Sequence, residues 1–181
     1  MTQKQSELIK NLKELIPKDD EEIFSNIIDY IVELGYIPQK QKVQNFLLSF
    51  KHSKNEKVIA KIGVKKQIGH LSIKYFACKN IPKKFIEALY DEAAENENRY
   101  SLPVPPPDIE PMIPNIIMKK CTNSCNICTG GNMRYYLNFD DGKNIFRCSA
   151  YPVLIKNIKH NDIKDLKRLI FEQHNYFLSL K

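Results

Sequence analysis

No run of uncharged apolar residues in this chain approaches the ~18 needed to cross a bilayer, which excludes a membrane-spanning helix. The first residues, Met1 to Lys18, mix polar and apolar side chains without an apolar core segment, so no secretory signal is read there. The sequence also lacks a glycine-rich phosphate loop, a nucleophile elbow and a dinucleotide fingerprint, which removes the most recognisable phosphate-binding and hydrolytic classes. Its four histidines, His52, His70, His160 and His174, are scattered and show no helical metal-ligand spacing. Tryptophan is absent, and that decides nothing about function. With 43% hydrophobic and 27% charged residues the composition is ordinary for a globular chain with a core. The expectation is a cytoplasmic protein with no membrane partner. In that compartment thiols stay reduced, and clustered cysteines more often hold metal than form disulfides.

What is there begins with helical spacing. Leu8, Ile9, Leu12, Leu15 and Ile16 predict a helix capped at Ser6, and Pro17 breaks it. Asp19 or Asp20 caps a second helix whose apolar face reads Ile23, Ile27, Ile28, Ile31 and Leu34, with Gly35 after its end. Residues 39–50 are ambiguous between a short helix and a strand. Alternation then predicts a strand with Val58, Ala60, Ile62 and Val64 on one face, and a second strand from Leu71 to Cys78 after a connection at 66–70. Pro82 opens a helix to about Asn98, with Phe85, Ile86, Leu89 and Ala93 as its stripe. Six of the ten prolines fall within 101–114, which predicts an extended strap; its PxxP matches would suit a docking peptide, but such matches are common by chance. Arg134 to Phe139 and Asn144 to Cys148 flank Asp140-Asp141-Gly142-Lys143, a strong hairpin signal. A last helix starts at Asn161 or Asp162 with Ile163, Leu166, Leu169, Ile170 and Phe177 as its stripe.

This order predicts an α+β fold: N-terminal helices, a small antiparallel sheet and a helix, then a cysteine-rich, zinc-knuckle-like β-hairpin and a C-terminal helix. The expected division is a body over 1–100, a proline-rich strap over 101–118 and a metal-binding hairpin–helix module over 119–181.

Four cysteines carry the chemistry. Cys121, Cys125 and Cys128 share one short stretch, and Cys148 closes the hairpin that follows. Thr129-Gly130-Gly131 lets the backbone turn after the first three. Four thiolates satisfy tetrahedral zinc with no open position, so the expected metal is structural zinc. A mixed site in which His160 or His174 replaces Cys121 is an alternative. A cysteine-ligated iron–sulfur cluster takes the same four thiolates. Cys78, late in an apolar run, reads as a core residue. The Cys121-x3-Cys125-x2-Cys128 spacing also resembles the signature of radical S-adenosylmethionine enzymes, and that resemblance implies an iron–sulfur cofactor. It covers eight residues, Ile127 stands where that family usually has an aromatic, and the remaining chain is shorter than the family's barrel.

The net charge of +7 is unevenly placed: residues 51–84 hold ten lysines and a single acid, Glu56. In the predicted strands Lys57, Lys61, Lys65 and Lys74 would form a stripe, and a local lysine excess of this size suits a polyanion: nucleic acid, anionic lipid or an acidic protein. The plainer reading of such a stripe is a solvated sheet face. Arg134, Tyr136 and Arg147 would share a hairpin face, which could be a small recognition surface but is more often an ordinary exposed strand face. With no acid–base or nucleophile constellation in view, the expected function is a non-catalytic binding or adaptor protein carrying structural zinc. The alternatives are nucleic-acid binding through the lysine face and an iron–sulfur enzyme.

Overall fold

The structure, a computed structural model, describes residues 1–95, 116–120, 133–139 and 144–180, and within these the fold is mixed helix and sheet, α+β as expected. The strap residues 101–115 and the cysteine-rich stretch 121–132 lie outside the described residues. The elements are α1 (Gln3–Leu15), α2 (Lys18–Glu33), β1 (Tyr36–Lys40), β2 (Phe46–His52), β3 (Val58–Lys65), β4 (Ile68–Ile73), α3 (Lys83–Glu95), β5 (Ile116–Lys120), β6 (Met133–Asn138), β7 (Asn144–Cys148), β8 (Val153–Ile155) and α4 (Ile163–Ser179). No helix among the described residues is long and apolar enough to cross a membrane.

Two compact units emerge. The first comprises Met1–Cys78 with Leu154–Lys181, the second Lys79–Val153. This differs from the division expected from sequence. The C-terminal helix belongs with the first unit, and α3 belongs with the hairpin. Long-range bonds explain the first assignment. The Cys78 thiol donates to the Leu169 carbonyl at 3.1 Å, the Ala77 N–H to Gln173 Oε1 at 3.1 Å, and Asn55 Nδ2 to the Phe177 carbonyl at 3.1 Å. Burial pushes the Cys78 thiol pKa up, as expected of a core cysteine.

In the first unit, β1 to β4 run antiparallel in sequence order, and β8 extends the sheet beside β4. Leu48, Phe50, Ala60, Ile62, Leu71 and Ile73 point to the core, all essentially inaccessible, and α1, α2 and α4 contact these strands. The expected apolar face of α2 is the one buried, and Phe24 joins it. Its ring lies where a Cβ on Gly69 would stand, 2.7 Å away, so only glycine lets the helix come this close to β4. Gly35 takes the left-handed conformation (φ +88°) just after α2, as its place in the sequence predicts.

Two element starts differ from expectation for local reasons, and one open segment is resolved. Helix α1 starts earlier than Ser6, because Thr2 and Gln5 form a capping box: Gln5 N–H donates to Thr2 Oγ1 at 3.3 Å and Thr2 N–H to Gln5 Oε1 at 2.8 Å. Strand β4 starts at Ile68, because Lys66 and Gln67, both with positive φ, make a two-residue turn. The ambiguous segment 39–50 resolves into strand ends and a turn.

The second unit pairs β5, β6 and β7 antiparallel in sequence order. The hairpin flanks are those expected. Its core includes Phe85, Leu89 and Ala93, the stripe predicted for α3, with Leu137 from β6. Tyr90 packs edge-on against Phe139 with ring centroids 4.8 Å apart.

Candidate functional site

Cys148 ends β7 and is the one cysteine of the expected zinc set among the described residues; Cys121, Cys125 and Cys128 lie outside them. Strand register nonetheless defines the surroundings of Cys148. Lys120, the last residue of β5, pairs with Met133, and the next residue of β6, Arg134, pairs with Cys148. The end of β5 at Lys120 and the start of β6 at Met133 therefore stand at the same end of the sheet as Cys148. The span between β5 and β7 is two strand spacings, roughly 10 Å.

The backbone around Cys148 is tightly held. A turn follows it, with Tyr151 N–H donating to the Cys148 carbonyl at 3.4 Å. The Ala150 N–H donates to Cys148 Sγ, also at 3.4 Å, the kind of contact that favours the anionic form of a sulfur. Beneath the turn lies Arg147, 0% exposed. Its guanidinium donates to the carbonyls of Tyr151 (3.1 Å) and Pro152 (3.0 Å) and to Glu92 Oε2 of α3 (2.8 Å). The shared hairpin face expected for Arg134, Tyr136 and Arg147 is thus corrected. Arg147 pairs with Tyr135, one residue out of step with Arg134 and Tyr136, and is buried in an ion pair.

The lysine stripe is also altered. Lys61 pairs with Ser49 on one side and Ser72 on the other, Lys65 pairs with Ile68, and Lys74 extends the β4 ladder by donating its N–H to the Ile59 carbonyl at 2.8 Å. These three positions share the face opposite the core. Between Phe50 and Lys51 the register shifts, so Ile59 is an extra residue in β3. That bulge reverses the alternation, and Lys57, whose carbonyl accepts from His52 N–H, falls on the other side.

Sequence spacing gave no hint of a third feature, because its members come from three separate elements. Tyr36 of β1, His52 of β2 and His174 of α4 meet in the first unit, with ring centroids 5.0, 5.7 and 5.6 Å apart. His52 and His174 are only 6% and 8% exposed. Tyr36 Oη lies 3.3 Å from His174 Nδ1, and His52 Nδ1 accepts the Lys54 N–H at 3.3 Å. His160 lies 3.9 Å from Glu22, also in the first unit. Among the described residues no three His, Cys, Asp or Glu side chains gather as a metal site.

His174 is expected to make stability depend on pH. Burial, then the neighbouring His52, hold the His174 pKa below its ordinary value. Phe171, stacked on its other side, and Tyr36 bring no charge at neutral pH. The unfolded chain therefore binds more protons below the ordinary histidine pKa, so stability rises with pH through that range and is lost as pH falls toward the folded-state pKa. Urea unfolding at a series of pH values is expected to show this acid limb. His174→Gln is expected to flatten it, and an unchanged slope would count against the assignment.

No protein-family model, no curated protein and no solved structure matches this chain, so its chemistry is read from its own residues.

Proposed function

We propose that the second unit is a zinc-stapled module, with Cys121, Cys125, Cys128 and Cys148 as ligands, within a non-catalytic binding or adaptor protein. The observation that carries this reading is strand register. Cys148 stands at the sheet end shared by Lys120 and Met133, between which the cysteine-rich stretch lies in sequence. The N–H of Ala150 directed at the Cys148 sulfur adds to it, since backbone donors of this kind support thiolate ligands. A closed set of four thiolates leaves no coordination position for a substrate, which makes the metal structural rather than catalytic. The described residues of this unit form one helix and three strands, a small core to which a metal contributing on the order of 10 kcal/mol would add decisively.

Elemental analysis of protein purified under reducing conditions is expected to find about one zinc per chain, as a four-ligand site requires. Replacement of zinc by cobalt is expected to give the visible absorbance of tetrahedral thiolate coordination. A fully folded protein without metal would overturn the proposal. Broad visible absorbance after anaerobic purification would replace zinc by an iron–sulfur cluster and reopen the enzymatic alternative.

A further inference from the structure

Apart from Met1, the two most exposed large apolar side chains among the described residues are Ile68 (61%) and Val43 (54%). They are distant in sequence, yet both belong to one end of the five-stranded sheet. Phe46 pairs with Val64, and Lys65 pairs with Ile68 across the turn Lys66-Gln67. The connection from β1 to β2 closes at the same end, where Gln41 N–H donates to the Leu47 carbonyl at 2.9 Å. Its tip, Lys42 to Asn45, is exposed, as are Lys65, Lys66 and Gln67 on the neighbouring turn.

The charge on these two connections has one sign. Lys40, Lys42, Lys65 and Lys66 lie on the two connections, and neither 39–47 nor 64–70 contains an acidic residue. The field is felt locally: burial, and then the charge of Lys65, lower the His70 pKa. The β3–β4 turn is tight, with both central residues in the left-handed region, so Ile68 is held on a short, defined tip.

From this juxtaposition we infer that the sheet end formed by residues 40–46 and 65–68 is a peripheral docking surface for anionic phospholipid bilayers. Val43 and Ile68 enter the interface, and Lys40, Lys42, Lys65 and Lys66 meet the headgroups. Aliphatic tips beside lysines suit a bilayer, whose binding adds buried apolar area to attraction for anionic lipid. Nucleic acid fits less well. Stacking of bases calls for open aromatic or arginine faces; these connections contain no arginine, and their one aromatic ring, that of Phe46, already lies under the Lys40 ammonium at 5.0 Å. The expectation of no membrane partner rested on the lack of a spanning segment, which does not bear on a surface of this kind. The surface belongs to the first unit and is independent of the zinc proposal.

The test is sedimentation of the full chain with phosphatidylcholine vesicles, with and without phosphatidylserine. Binding is expected only with the anionic lipid, and it should fall as salt rises. The double variants Lys65→Glu/Lys66→Glu and Val43→Ser/Ile68→Ser are each expected to weaken it about tenfold or more, with thermal melting unchanged because all four side chains are exposed. The single variant Ile68→Ser serves if a double variant melts early. Absence of vesicle binding overturns the inference. So does binding that ignores the aliphatic substitutions, which would mark a simple polyanion surface. Tighter binding to a single-stranded oligonucleotide, lost in the same variants, would assign the surface to nucleic acid instead.

Discussion

Arg147→Met is expected to destabilise the second unit by about 3–5 kcal/mol, the scale found when one partner of a buried ion pair is removed. The guanidinium is wholly buried and the Glu92 side chain, 2.8 Å away, is 17% exposed. Methionine keeps the apolar stem but supplies no donor, which takes the Arg147 guanidinium from the Glu92 carboxylate and from the Tyr151 and Pro152 carbonyls. Adding Glu92→Leu should recover part of the loss by removing a carboxylate that has lost its Arg147 partner. It should not recover all, because the hydrogen bonds from Arg147 to the Tyr151 and Pro152 carbonyls stay lost, at about 0.5–1.5 kcal/mol each. Guanidinium unfolding followed by circular dichroism, with amide exchange read at β6 and β7, measures the effect. A loss below about 1 kcal/mol, typical of exposed pairs, would show that Arg147 is not the anchor described. Because the same guanidinium holds the turn after Cys148, the variant is also expected to bind zinc less tightly if the proposed site is correct.

The second large effect concerns the metal. Under the zinc proposal, chelation at neutral pH should unfold the second unit, since a contribution on the order of 10 kcal/mol exceeds what a small module can spare. Amides of β2 and β3 should retain their protection, because the first unit has a core of its own. Cys148→Ser should lower zinc content and destabilise the same unit, whereas Cys78→Ser should leave zinc content unchanged, its thiol being committed to the Leu169 carbonyl. Chelation that leaves the exchange pattern of β6 and β7 intact would sink the proposal.

Much of the fold was legible because local signals agreed. Helical spacing marked the buried stripes of α2, α3 and α4, and Asp141-Gly142 with its aromatic flanks marked the β6–β7 hairpin. The errors arose where long-range or unusual local geometry decided the outcome. The turn at Lys66-Gln67 has positive φ without the usual Asn-Gly or Asp-Gly signature, so β4 was placed too late. The bulge at Ile59 leaves no mark in the pattern, yet it moves Lys57 off the lysine face. Arg147 looked like a surface residue because its partner, Glu92, lies on a different element and far away in sequence. Strand β5 was hidden beside a proline-rich stretch, its apolar run too short to stand out. At the candidate site, cysteine spacing suggested the ligand set, while only strand pairing revealed which sheet end Cys148 occupies.

The interrupted construction of the first unit bears on how the protein is made. During synthesis, residues 1–78 emerge well before α4, whose Leu169, Gln173 and Phe177 supply their bonding partners. Until then the hydrophobic surface destined for that helix is left to solvent or to chaperones, while the intervening segment is translated and free to assemble first. Premature termination anywhere before Leu154 would thus release a chain lacking the closing helix, a species prone to aggregate rather than a shorter working protein.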